Sequence, residues 1–164
     1  MSAAQGEIRR WFWLLLALFL PTAVAMVLID LDLRGPQSPN GIISFELCAY
    51  ADTCAAIVEQ WGSRGRDAAM LGLGLDYLFL VAYAGLLGVS LWWRGSRRMP
   101  WAALGAGLAD AAENFALVQY LQQGGGWAQA AAMFATLKFA LLALASFWLL
   151  VLLLRRRAGA PISH

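Results

Sequence analysis

Apolar residues run in four long blocks along this chain, and the polar residues collect between them. A helix needs about 20 mostly apolar residues to cross the hydrocarbon core of a bilayer. Residues 11–30, 68–93, 101–121 and 127–154 each reach that length. The pattern predicts an all-α membrane protein, a bundle of four transmembrane helices in one integral membrane domain over residues 1–164. Its one long connection is at residues 31–67. Pro100 suits the first turn of the third span, where its missing N–H costs little. Pro21 falls inside the first span, which membrane helices accommodate, often with a kink.

The first block has a second reading. Arg9-Arg10, an apolar run and then Ala23-Val24-Ala25 have the form of a secretory signal with a small-residue cleavage site. Arg9-Arg10-Trp11-Phe12 also has part of a twin-arginine pattern. The run continues through Met26-Val27-Leu28-Ile29, long enough to span, so a retained helix is expected.

Composition agrees with the pattern. Hydrophobic residues make up 61% of the chain and charged residues 13%, against about 25% charged in a soluble domain. So few charges cannot build a water-facing surface, so much of the surface must face lipid. No basic patch with interleaved aromatics points to nucleic acid. The position of the arginines sets an orientation, because positive charge favours the cytoplasmic side. Arg9 and Arg10 precede the first span, Arg94, Arg97 and Arg98 separate the second and third, and Arg155, Arg156 and Arg157 follow the fourth. Both termini are therefore expected in the cytoplasm, with the long loop and the Gln122-Gln123-Gly124-Gly125-Gly126 turn outside. Trp11, Trp13, Trp92, Trp93, Trp101, Trp127 and Trp148 sit at or near span ends, as interfacial anchors do.

The long loop is not a simple tether. Pro36, Pro39 and Gly41 read as a turn. Gly41-Ile42-Ile43-Ser44-Phe45-Glu46-Leu47 is largely apolar, and Asp52 or Thr53 is placed to cap a short helix that Gly62 would end. Two short interfacial helices forming an outer lid are one expectation; an ordinary interfacial loop is the other. Cys48 and Cys54 are the only cysteines and lie in this loop. Outside the cell they could pair, but residues six apart face different ways on one helix, so a turn near Ala51-Asp52 would be required. Two cysteines without a nearby histidine do not make a zinc site, and no metal is expected.

Five polar side chains fall within the spans: Asp76 in the second, Asp110, Glu113 and Asn114 in the third, and Lys138, the only lysine, in the fourth. A charge at bilayer depth costs at least about 2.5–3.5 kcal/mol. Asp110, Glu113 and Asn114 share one helix face, which Ala103, Ala106 and Gly107 extend. Asp76 shares a face with Gly72, Tyr83 and Ser90, and Lys138 with Ala131, Ala135 and Ala145. Faces of small residues are those that meet other helices. The spacing thus predicts an inward cluster of Asp76, Asp110, Glu113, Asn114 and Lys138 toward the outer side, with Tyr83 deeper and Glu46 within reach if the lid dips. Asp110, Glu113 and Lys138 are the catalytic candidates; Asp76, Tyr83, Asn114 and Glu46 are the binding candidates. A purely structural ion pair that holds the helices in register explains the same residues.

No motif implies a cofactor. The single histidine, His164, lies in no span, and neither a phosphate-binding loop, a G-x-S-x-G nor an H-E-x-x-H occurs. The strings Gly41-Ile42-Ile43-Ser44-Phe45-Glu46-Leu47, Leu75-Asp76-Tyr77-Leu78-Phe79 with Tyr83, and Asp110-Ala111-Ala112-Glu113-Asn114 resemble an uncharacterised family of small four-helix bacterial membrane proteins. That resemblance implies a bacterial inner membrane and no activity. The architecture is also similar to small four-helix sterol and lipid isomerases with acidic groups in the bundle, an analogy of fold alone. Three functions are open at this point. One is binding or transformation of a lipid-like or apolar small molecule. Another is proton- or cation-coupled transport, against which no inverted repeat is seen. The third is an accessory subunit of a larger membrane complex; the transporter would be a homo-oligomer, because four helices make a thin pore.

Overall fold

The computed structural model describes residues 3–157, and side chains from residue 5 to residue 155. His164 lies outside the described residues. The described chain is helical without a strand. α1 spans Ala3–Leu33, α2 Ile42–Glu46, α3 Cys54–Trp93, α4 Met99–Gln123 and α5 Trp127–Arg157, with a single 3-10 turn at Cys48–Tyr50.

Three of these helices, α1, α3 and α5, are long and apolar enough to cross a membrane. α4 has 25 residues, about 37 Å at 1.5 Å per residue, but it carries Asp110, Glu113 and Asn114 as well as Gln119, Gln122 and Gln123 toward its end and is not apolar enough to join them. α1 passes through Pro21 without interruption. Thr22 beside it turns its hydroxyl back on the helix, donating to the carbonyls of Leu18 at 2.8 Å and Phe19 at 3.0 Å. Leucines, tryptophans and phenylalanines stand exposed along α1, α3, α4 and α5, which suits hydrocarbon rather than water. Seven of the eight tryptophans are exposed near helix ends; the eighth, Trp61, is buried.

The long helices contact one another in series: α1 packs on α3, α3 on α4 and α4 on α5. α1 and α5, at the two ends of the row, make little direct contact with each other. Small residues set the closest approach. A Cβ on Gly107 would lie 3.0 Å from that of Ala84, so α3 and α4 meet nearly backbone to backbone there.

The connection between α1 and α3 is a packed cap rather than a loop resting on a surface. Phe45 and Ile57 are fully buried, together with Leu33, Cys48, Trp61, Leu73, Leu117 and Ala131 in one apolar core. The Trp61 indole N–H donates to the Leu33 carbonyl at 2.8 Å, and the Ser38 hydroxyl donates to the same oxygen at 2.6 Å, so the last turn of α1 is tied to the cap. Cys48 and Cys54 are joined by a disulfide. The turn this requires is made at Ala51-Asp52, with Asp52 in the left-handed region at φ 53°. One expectation for this segment changes. Thr53 occupies the cap position of α3, but its side chain makes no capping bond. Gly62 (φ 58°, ψ −157°) is non-helical and divides Cys54–Trp93 into two helical stretches, so the short helix ends there as expected, while the stretch that follows starts ahead of residue 68. A positive φ suits glycine, and the chain resumes helical geometry directly after it.

Candidate functional site

Because α1 and α5 stand apart, a cleft of about 580 Å³ lies between them. α3 and α4 form its floor and α2 closes one end. Each element contributes a stripe at helical spacing. α1 provides Phe12, Phe19 and Met26, seven residues apart; α3 provides Asp76, Phe79, Tyr83 and Ser90; α5 provides Lys138, Leu142 and Leu149. Polar groups gather at the cap end, where Glu46, Asp76, Asp110, Asn114 and Lys138 all line the wall. Beyond Tyr83 the lining is apolar apart from Ser90 and Ser146.

Lys138 is the hub of the polar end. Its ammonium lies 2.7 Å from Glu113 Oε2, 3.1 Å from Asp110 Oδ1 and 3.3 Å from Glu46 Oε2. Glu46 comes from the cap, 92 positions earlier in the chain. Its helix is held in place from below: Asp30 Oδ1 accepts the Ile42 N–H at 2.8 Å, while Asp30 Oδ2 accepts from Arg34 at 2.9 Å. On the other side Tyr50 of the cap donates to, or accepts from, Thr136 at 2.8 Å, two residues before Lys138.

The contact with Glu113 is an ion pair by distance but is not aligned as a hydrogen bond. Neither oxygen of that carboxylate has a hydrogen-bond partner among the described residues, although Glu113 is 0% exposed. It sits behind Lys138 and is not part of the cleft wall. Asp110 receives two donors, Lys138 on Oδ1 and the Tyr83 hydroxyl on Oδ2 at 2.7 Å. Asp76 accepts from the Asn114 amide at 2.6 Å. Tyr83, Asp110 and Lys138 thus form a hydrogen-bonded chain leading in from the cleft, and Lys138 ends it in the ion pair with the buried Glu113.

The structure brings Glu46, Asp110, Glu113 and Lys138 into direct contact, and places Asp76 with Asn114 and Tyr83 with Asp110 beside them. The apolar lining residues Phe19, Phe79, Phe139 and Leu142 were not singled out from the sequence. Phe79 carried a readable signal, since it follows Asp76 by three residues on the same face. Asp30, whose part is to hold α2, carried none. No family model matches this chain, and no curated protein and no solved structure matches it.

A cluster of this kind can do two things chemically. Carboxyl and phenol groups at a low-dielectric wall can exchange protons with a bound molecule. Fixed charges at one end of an apolar cleft can orient a molecule that has a polar end.

Proposed function

We propose that this protein binds a membrane-soluble amphiphile in the cleft between α1 and α5, with the polar head of the ligand at the Glu46–Asp76–Asp110–Lys138 end and its apolar chain along Phe19, Met26, Leu142 and Leu149. The observation that carries this reading is the cleft's polarity: charged at one end, apolar along the rest. Asp76 and Ser90 are fourteen residues apart on α3, about 21 Å of wall, which suits an alkyl or isoprenoid chain. The opening faces the side on which α1 and α5 are separated, so a ligand enters sideways from the lipid rather than from water.

In this reading α4 is a fourth span, its polar face turned toward its neighbours and away from lipid. The membrane is a bacterial inner membrane. Arg9, Arg10, Arg94, Arg97, Arg98 and Arg155 all lie at the end opposite the cap, which supports a topology with both termini in the cytoplasm and the cap outside. A disulfide in the cap is compatible with an oxidising outer compartment. Tyr83 and Asp76 are the polar groups nearest the ligand, and Asp110 with Lys138 and Glu113 forms the acid–base network behind them.

The test is to purify the full chain in dodecyl maltoside, extract it with organic solvent and identify what was retained by mass spectrometry. A stoichiometric amphiphile is expected from the wild type. Its amount should fall at least tenfold in Leu142→Trp, which fills the apolar part of the cleft. Equal recovery from both proteins, or none from either, overturns the reading.

A further inference from the structure

The charges at the head of the cleft do not balance. Four carboxylates, Glu46, Asp76, Asp110 and Glu113, share one ammonium, Lys138, which leaves a formal charge of −3 if each group carries its usual charge. An ammonium has three N–H donors, and the Lys138 nitrogen already has three carboxylates within 3.3 Å. Asp76 is the carboxylate left over. It lines the cleft, is 8% exposed, and has no cation within ion-pair distance among the described residues. One of its oxygens accepts from the Asn114 amide; the other has no hydrogen bond among the described residues. A buried carboxylate without a counter-charge is costly, and it is relieved either by taking up a proton or by a cation beside it.

The neighbours of Asp76 are aromatic. Phe79 lines the cleft one turn further along α3, stacked on Phe19 of α1 with ring centres 5.4 Å apart. Tyr83 meets the same Phe79 ring edge-on at 5.4 Å. Across the cleft, the Phe139 ring already has the Lys138 ammonium 4.8 Å from its centre. Aromatic faces attract cations, alkylated ammonium ions in particular.

We infer that the head group this cleft takes is an organic cation, an amine or alkylated ammonium, seated between the free oxygen of Asp76 and the Phe19–Phe79 rings. This rests on the amphiphile reading above and adds the sign of the ligand's charge. A phosphate or carboxylate head would have to draw Lys138 away from three carboxylates, and no arginine lines the cleft to receive it. The cation adds to the site instead, lowering its formal charge to −2 without breaking an existing pair.

The test uses the full-length protein in dodecyl maltoside micelles and a series of twelve-carbon chains that differ only in the head: dodecyltrimethylammonium, dodecylamine, dodecanol and dodecyl phosphate. Binding is read by native mass spectrometry. The two cations are expected to bind at least tenfold more tightly than dodecanol, and dodecyl phosphate more weakly still. Asp76→Asn keeps the shape and a partner for Asn114; it should lower the affinity for the cations at least tenfold and leave that for dodecanol unchanged. Phe79→Leu should weaken dodecyltrimethylammonium and spare dodecanol. The head-group series on the wild type decides the matter even if a variant fails to fold. Equal affinity for all four chains, each abolished by Leu142→Trp, overturns the cationic head group and leaves the amphiphile site standing. Preference for the phosphate, or an unchanged cation affinity in a folded Asp76→Asn protein, also overturns it. Failure of every chain to bind overturns both readings.

Discussion

The protein has two clefts of almost the same size on opposite sides of the α3–α4 pair. One, of about 580 Å³, is the site between α1 and α5; the other, of about 570 Å³, runs along α3 and α4 past Leu80, Ala84, Gly88, Trp92, Leu104 and Ala111. The first holds Glu46, Asp76, Asp110 and Lys138, whereas the second has no ionisable group on its wall. Their origins differ as well. The second is the furrow left where small side chains let α3 and α4 approach closely. The first exists because two helices stay apart and a cap bridges part of the gap. Volume alone does not distinguish a site from a furrow. Fixed charge held at a cost does, because burying it without a use or a partner is unfavourable.

The largest effect that sharpens this contrast should come from Lys138→Met. Removing the single ammonium leaves three buried carboxylates facing one another, and the loss of stability should be about 3–5 kcal/mol, read as a lower midpoint of unfolding in detergent. A variant as stable as the wild type would mean that the carboxylates do not need the lysine, and the contrast between the clefts would lose its basis. A smaller effect is expected from Cys48→Ala with Cys54→Ala. The disulfide closes a short loop, worth about 2 kcal/mol in the chain-entropy view. Its loss loosens the cap that carries Glu46 while leaving the lysine's other two partners in place. Thermal unfolding of the reduced wild type should match that of the double variant. The smallest effect is expected in the other cleft. A Cβ at Gly88 meets nothing nearer than the Pro100 carbonyl at 3.9 Å, so Gly88→Leu should fill that furrow with a change of about 1 kcal/mol or less and no change in ligand retention. If it displaced ligand as Leu142→Trp is expected to, the two clefts would not be independent.

Periodicity carried part of the site. Asp110, Glu113 and Asn114 on one face, and Asp76 with Tyr83 on another, follow from 3.6 residues per turn. Their partners do not. Hydropathy separates lipid-facing from inward residues but cannot say which inward carboxylate meets Lys138, and it is Glu46, Asp110 and Glu113 rather than Asp76 that do so. The gap between α1 and α5 was equally hidden, because Phe19 or Leu142 looks the same in sequence whether it packs on a helix, lines a cleft or faces lipid. In the cap, the turn needed to join Cys48 and Cys54 could be placed at Ala51-Asp52. The end of the short helix at Gly62 was legible, but the return to helix directly after it was not, since glycine is as common at a helix end as at a bend.

The Glu46–Lys138 contact has a consequence for the order in which the molecule is made. A ribosome adds about 5–20 residues per second, so the 92 positions between the two residues correspond to roughly 5–20 s of synthesis. During that interval Asp76, Asp110 and Glu113 have all been produced while the one cation that pairs within the cluster has not. The helices that carry them cannot settle in their final arrangement until α5 arrives. If α4 spans as proposed above, a chain stopped before α5 is left with unpaired acids at bilayer depth, a feature by which membrane quality control could recognise it as unfinished.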